Sequence, residues 1–190
     1  MELKKYSVLY CDPPWVYNDT AGAGERGAAY KYPCLKVDLL AKLNIDKIVE
    51  KDSILFLWIT QPLLEDGLFL MRKWGFKYKG FAFNWFKKTK NDKVFWGMGN
   101  YTRSNMEHVL FGIRGRGVKR VSAAVHSVVE AIPAGHSSKP PEVRDRIVQL
   151  LGDVPKVELF ARDQVPGWDA IGLDIDGRDI RDVLGFVEEL

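Results

Sequence analysis

The chain has 190 residues, 46% of them hydrophobic and 28% charged, with a formal net charge of +3 at pH 7. That balance fits a soluble globular domain large enough to bury a core, and no apolar run nears the roughly 20 residues that span a bilayer. Two cysteines (Cys11, Cys34) and three scattered histidines (His108, His126, His136) give neither a disulfide framework nor metal-ligand spacing, so no metal is expected and a reducing, cytoplasmic compartment is. The opening Met1-Glu2-Leu3-Lys4-Lys5 lacks a signal-peptide apolar stretch.

Tyr6-Ser7-Val8-Leu9-Tyr10 reads as a buried strand running into Cys11-Asp12-Pro13-Pro14-Trp15. The prolines fix φ and remove two backbone donors, leaving local carbonyls to accept hydrogen bonds. Asp12 adds a carboxylate acceptor and Trp15 a flat face, a combination suited to a planar heteroaromatic amine. The plainer account is a turn after a strand, with Trp15 as a core or lid aromatic. Open α/β sheets bind ligands beyond the carboxyl ends of their strands, where this corner is expected.

Residues 16–33, with Gly22, Gly24 and Gly27, read as a long lid or binding loop whose Tyr17, Tyr30 and Tyr32 either cover a flat substrate or anchor the loop. No Gly-Lys-Ser/Thr follows, which excludes a P-loop. Residues 36–50 read as a helix with Leu39, Leu40, Leu43 and Ile48 on its apolar side. Ser53–Ile59 reads as a buried strand, and a helix opens at Gln61-Pro62, carries the stripe Leu64, Leu68, Met71, Trp74, and ends at Gly75. Phe76–Phe86 alternates as a strand. Strands alternating with helices predict a mainly parallel sheet covered on both faces.

Residues 87–120 hold nine basic side chains against Asp92 and Glu107, whereas residues 163–190 hold eight acids against Arg178 and Arg181. The basic centre suits a polyanion or is a solvated loop face. Within it Lys87, Lys88, Lys90, Lys93, Tyr101 and Arg103 are candidates to neutralise phosphates and stack on bases, the competing account being a basic hairpin with no ligand. Val109–Ile113 returns to strand and Arg114-Gly115-Arg116-Gly117 turns it; 118–132 holds one or two more strands. His136-Ser137-Ser138-Lys139-Pro140-Pro141-Glu142 opens a helix with the stripe Val143, Ile147, Leu150, Leu151. Lysine and serines at a helix start suit a carboxylate or ribose. Lys156–Arg162 reads as the last clear strand, Gly167-Trp168 and Ile171-Gly172 as loop, and Asp179–Leu190 as a helix with Val183, Leu184, Val187 and Leu190 docked on the domain or in a dimer contact.

In this order the pieces resemble the N6-adenine methyltransferases that carry Asp-Pro-Pro-Trp, the family of the mRNA adenosine methyltransferase catalytic subunit and of bacterial and phage DNA-modifying enzymes. The similarity runs from residue 6 to about 172 and rests on Asp12-Pro13-Pro14-Trp15, on Gly97-x-Gly99-x-Tyr101-Thr102-Arg103-x₃-Glu107 with Arg114-Gly115, on His136-Ser137-x-Lys139-Pro140, on Glu158-Leu159-Phe160-x-Arg162, and on Gly167-Trp168 with Gly172. It implies one methyltransferase domain over 1–190, with a 6–172 core and an acidic tail or helix at 173–190. The implied fold is α/β and Rossmann-like, a mainly parallel sheet with helices on both faces and a permuted motif order.

The implied donor is S-adenosylmethionine, leaving S-adenosylhomocysteine. Lys139 is then expected near the donor carboxylate or ribose, Phe160 against its adenine, Arg162 on ribose hydroxyls, and Asp12 between both substrates. Family members often carry an Asn-Glu type pair after the glycine equivalent to Gly172; here Leu173-Asp174 follows, leaving Asp174 as the polar contact. Donor-adenine contacts that relatives draw from upstream are expected to be absent or replaced.

The implied reaction moves a methyl group to N6 of adenine in nucleic acid, DNA favoured and RNA possible, with Asp12, Pro13, Pro14 and Trp15 as catalytic residues. A homodimer or partner subunit is open. Two rivals stand beside it: a silent nucleic-acid-binding relative, and a methyltransferase acting on another planar amine.

Overall fold

The computed structural model describes residues 3–16, 34–97, 99, 101–134 and 138–187; the expectations for Tyr17, Tyr30 and Tyr32 and for His136 and Ser137 lie outside them. The described strands are β1 (Tyr6–Cys11), β2 (Val49–Ile59), β3 (Lys77–Lys87), β4 (Met106–Arg114), β5 (Val128–Ala131), β6 (Lys156–Leu159) and β7 (Asp169–Ile171). They form one sheet in the order β5-β3-β4-β2-β1-β6-β7. β1 pairs in parallel with β2 and β6, β6 with β7, and β3 with β5; β4 runs against both β2 and β3.

Residues 8–11 of β1 are almost completely buried, which the central place of that strand explains. Alternate residues feed two cores. Leu9, Cys11, Leu55, Leu57 and Ile59 face one side, where α1 (Val37–Ala41), α2 (Leu64–Lys73) and α5 (Ile180–Leu184) bring Leu40, Leu70, Met71, Ile180 and Leu184. Val8, Tyr10, Ile54, Phe56 and Trp58 face the other, where α3 (Glu142–Leu151) lays down Val143, Ile147 and Leu151 at helical spacing. Each such side chain contributes about 1.5–3 kcal/mol of apolar burial. The α/β architecture, a mostly parallel mixed sheet with helices on both faces, is therefore the one expected.

Several elements differ from the sequence reading. The helix expected over 36–50 stops at Ala41, because Val49 and Glu50 already belong to β2 and Val49 pairs with Tyr6 of β1. A single short 3-10 turn, Ile45–Lys47, bridges the gap. Residues 118–132 contain one short strand, β5. β6 ends at Leu159, since Phe160 turns into the left-handed region with φ 59°. β6 is also not the last strand: β7 adds an edge where loop was expected. The tail forms the short α4 (Leu173–Asp176) and then α5, after which Leu43 and Phe186 make an antiparallel bridge. It docks on the α1 and α2 side of the sheet.

Candidate active site

The parallel strands β1, β2, β6 and β7 end at one edge of the sheet, and the residues that follow them line a common cavity. Asp12 to Trp15 come from the end of β1. Phe160, Ala161 and Arg162 come from the end of β6, and Gly172 to Asp174 from the end of β7. Lys139, from the segment leading into α3, and Asp179 to Arg181, at the start of α5, complete the walls. All four expected donor contacts besides Asp12 (Lys139, Phe160, Arg162, Asp174) thus meet on the cavity that Asp12 faces.

The corner is built differently from its sequence reading. The Pro13 carbonyl accepts the Trp15 backbone N–H at 2.8 Å and the Pro14 carbonyl accepts that of Leu35 at 2.8 Å. Neither carbonyl is unengaged, although each keeps a second lone pair. Trp15 is only 5% exposed, packs in the core beside Leu35, and donates its indole N–H to the Trp58 carbonyl at 3.1 Å. Its ring braces the corner from behind and is not an open platform.

Glu107 and Lys87 join Asp12 and Lys139 in a chain of alternating charge. The Lys139 ammonium lies 2.9 Å from Asp12 Oδ2 and 3.3 Å from Glu107 Oε2, over the Trp58 ring at 5.4 Å from its centroid. The Lys87 ammonium pairs with the other oxygen of Glu107 and sits 4.7 Å from the centroid of the Trp85 ring. All four side chains are mostly shielded from solvent. Burial lifts the Asp12 carboxyl above its ordinary range; Lys139 and Arg162 oppose that rise and Glu107 adds to it. Burial pushes Glu107 the same way, but its two ammonium partners outweigh it and hold Glu107 low. Burial disfavours the Lys139 ammonium, yet the two carboxylates keep it more basic than usual.

Beneath this array lies a second polar cluster. Trp58 donates its indole N–H to the Tyr10 hydroxyl at 2.6 Å, and Arg144 of α3 pairs with both oxygens of Glu158 at 3.0 and 2.8 Å. Burial drives the Tyr10 phenol far above its usual range, so it stays neutral.

Two wall features are conformational. Phe160 holds a left-handed backbone that a residue with a Cβ adopts at a cost of about 1–2 kcal/mol. A Cβ on Gly172 would collide with the Ala161 carbonyl and stand 2.7 Å from the Ala161 nitrogen, so only glycine lets the end of β7 close on the end of β6.

Comparison with known proteins bears on this geometry directly. The MT-A70 family profile matches residues 6–174, which takes in every strand and nearly all of the cavity wall. The chain belongs to the MT-A70 family. It is 36% identical over 194 residues to the type II methyltransferase M.MunI of a Mycoplasma species, an alignment spanning 93% of this chain and 81% of that protein. It is 27% identical over 184 residues to the human N(6)-adenosine-methyltransferase catalytic subunit METTL3, spanning 95% of this chain but 30% of METTL3. A third relative, the N6-methyladenosine RNA methyltransferase MTA1 of Pyricularia oryzae, is 28% identical over 182 residues and is covered over 47% of its length. Membership places the chain among the MT-A70 methyltransferases, a family that implies S-adenosylmethionine as donor.

Within this MT-A70 chain the candidate nucleic-acid residues separate into two groups. Lys87 belongs to the buried charge array, and Lys88 is paired with Asp92 at 3.0 Å and Glu130 at 3.5 Å. Lys90, Lys93, Tyr101 and Arg103 are exposed, Tyr101 fully so, and Trp96 beside them is 77% exposed. A second groove, lined by Lys88, Thr89, Lys90, Ser138, Pro140 and Glu142, shares Lys139 with the first cavity. Sequence reasoning assigned no site role to Glu107, Asp179 or Arg181. A signal existed for Glu107 alone: an acid flanking an apolar strand and inside a family motif. No helix among the described residues is long and apolar enough to cross a membrane.

Proposed function

We propose that the chain transfers a methyl group to N6 of adenine in nucleic acid, with DNA as the favoured acceptor. One observation carries this: the Asp12 carboxylate of the Asp-Pro-Pro-Trp corner faces a cavity whose other walls are Lys139, Phe160, Arg162 and Asp174. That cavity suits S-adenosylmethionine by its chemistry. The Lys139 ammonium matches a carboxylate, the Phe160 ring an adenine face, and Arg162, Asp174 and Asp179 the hydroxyls of a ribose. Gly172, where a Cβ would meet the Ala161 peptide, lets the ends of β6 and β7 close together to form that wall.

S-adenosylmethionine supplies an electrophilic methyl group when bound. The acceptor amine is a poor nucleophile because its lone pair is delocalised into the ring. Asp12, accepting one N6 hydrogen, and the spare lone pair of the Pro13 carbonyl, accepting the other, favour a more tetrahedral nitrogen. The catalytic effect is then positioning and fixed electrostatics. Asp12, with its carboxyl already raised by burial, is also the nearest group to receive the proton the amine sheds. The second groove, meeting the first at Lys139, is the natural approach for an extruded base, and a duplex acceptor would have to flip it out at a cost of a few kcal/mol.

The higher identity to a type II methyltransferase than to the N(6)-adenosine methyltransferases favours DNA; the latter keep RNA as the second reading. The test is transfer from labelled S-adenosylmethionine to matched single- and double-stranded DNA and RNA, followed by nucleoside analysis. N6-methyladenine in DNA is the expected product, and in RNA alone it would reverse the choice of acceptor. Asp12→Asn should lower turnover at least 100-fold while donor affinity changes only a few-fold. Retained turnover in that variant would remove Asp12 from the mechanism.

A further inference from the structure

The face and edge on which four charged groups converge follow from strand register. Tyr10 and Asp12 share a face of the sheet by the two-residue repeat, as do Trp58 of β2, Val109 and Glu107 of β4, and Trp85 and Lys87 of β3. The pairs Trp58 with Val109 and Trp85 with Glu107 align these residues across the sheet. β4 is the reversed strand, so its first residues, and not its last, arrive at the carboxyl edge. Asp12 and Glu107 therefore flank the end of β2 from the two neighbouring strands, their backbones roughly 10 Å apart at two strand spacings. One ammonium sits between their two carboxylates. Lys139 lies across the end of β2, with Trp58 below it, Asp12 on one side and Glu107 on the other.

We propose that Glu107 is a positioning residue for methyl transfer: it fixes the Lys139 ammonium across the end of β2, so that one Lys139 N–H is held on Asp12 and another is left for the donor. The inference rests on the reading of this corner as the transfer site. An ammonium has three N–H donors. Two are directed by the carboxylates of Asp12 and Glu107 above the Trp58 face, and because Lys139 lines the cavity the third is the one available to a donor bound there. Without Glu107 the ammonium has one fixed partner and a long flexible stem. Lys87 in turn holds Glu107 by its other oxygen, and Lys87 begins the basic segment 87–105. The same array thereby links the base of that segment to the corner.

The groups facing Asp12 are Lys139 from the α3 approach, Glu107 from β4 and Arg162 from beyond β6; Glu158 of β6 and the neutral Tyr10 and Cys11 of β1 also feel its charge. Glu107 is the group among Asp12's named influences, burial aside, that holds the Asp12 carboxyl up. Neutralising it therefore moves the acid limb of turnover to lower pH.

The test compares wild type, Glu107→Gln, Glu107→Asp and Lys87→Met. Donor affinity is measured by titration with S-adenosylmethionine, turnover is followed against pH, and folding is checked by near-UV circular dichroism. Glu107→Gln should weaken donor binding roughly 5–50-fold and shift the acid limb downward, with part of both effects restored in Glu107→Asp. Lys87→Met should weaken donor binding less, in the same direction, and it carries the test if the glutamine variant does not fold. Folded variants with wild-type donor affinity and an unmoved acid limb overturn the inference while leaving the site reading intact. A wild-type protein that binds no donor overturns the site reading itself.

Discussion

Asp12 is a carboxylate asked to accept hydrogen bonds from a place where burial favours its neutral form. Its raised pKa has a direct consequence for rate: the acceptor form is lost as pH falls through a value above the ordinary carboxylate range. Glu107, held low by two ammoniums, remains charged through that window. A single-group acid limb, lying above the ordinary carboxylate range and absent from Asp12→Asn, is the expected pH profile; a profile flat down into the ordinary carboxylate range would contradict it. Phe160 presents the opposite kind of tension, in the backbone. The residue lines the cavity while its φ of 59° opposes any side chain. Phe160→Ala loses the ring and keeps the strain, whereas Phe160→Gly loses both. Chemical denaturation should find the glycine variant more stable than the alanine variant by about 1 kcal/mol, with donor binding weakened in each. Trp15, buried and bonded to the Trp58 carbonyl, braces the turn that carries Asp12.

At the scale of elements, the ends of β6 and β7 are as important as the corner after β1. The carbonyl of Ile171 accepts the Ala161 N–H at 3.1 Å, and Gly172 passes directly over that peptide. Gly172→Ala forces the two strand ends apart. It should cost about 1–3 kcal/mol in denaturant melts and reduce donor affinity well beyond the stability loss; a variant with unchanged affinity would show the junction to be merely structural. This junction also marks where the sequence stops being legible. The corner after β1 could be read because strand, turn and site residues are contiguous, and Lys139, Phe160 and Arg162 could be read because family motifs carry them. β7 could not, because three residues, Asp169–Ile171, show no alternation to detect and owe their pairing to β6. The helix expected at 36–50 stops short for a related reason: Leu39, Leu40, Leu43 and Ile48 have helical spacing, yet Val49 is claimed by β1 across the sheet. Glu107 reaches its partners only through the reversed direction of β4, and nothing local encodes that reversal.

At the scale of the whole molecule, the charge asymmetry of the sequence resolves, among the described residues, into groups held in ion pairs and exposed groups outside them. Of the basic residues between 87 and 120, Lys87 and Lys88 are held by Glu107, Asp92 and Glu130, Arg114 by Asp46, and Arg116 by Asp52. Acids of the 163–190 region are likewise neutralised nearby, Asp169 by Lys4, Asp176 by Arg178 and Asp179 by Arg181. Lys90, Lys93 and Arg103 stay exposed beside the bare rings of Trp96 and Tyr101. A paired lysine has already exchanged its counterion for a carboxylate and gains little by meeting a phosphate; an unpaired one releases a counterion. The two kinds of lysine should therefore separate in a salt titration of oligonucleotide binding. Replacing Lys90, Lys93 or Arg103 with Ala should each reduce the slope of log K against log salt by up to about 1 and weaken binding of every sequence alike. Lys87→Met should leave that slope unchanged, its effect appearing in donor affinity and turnover. Trp96→Ala and Tyr101→Ala should weaken single-strand binding by about 1–3 kcal/mol with the slope intact, because stacking on bases involves no counterion. If Lys87 instead carried the salt dependence and Lys90, Lys93 and Arg103 did not, the nucleic-acid surface would lie on the buried array's side of β3 and the exposed segment would have no part in binding.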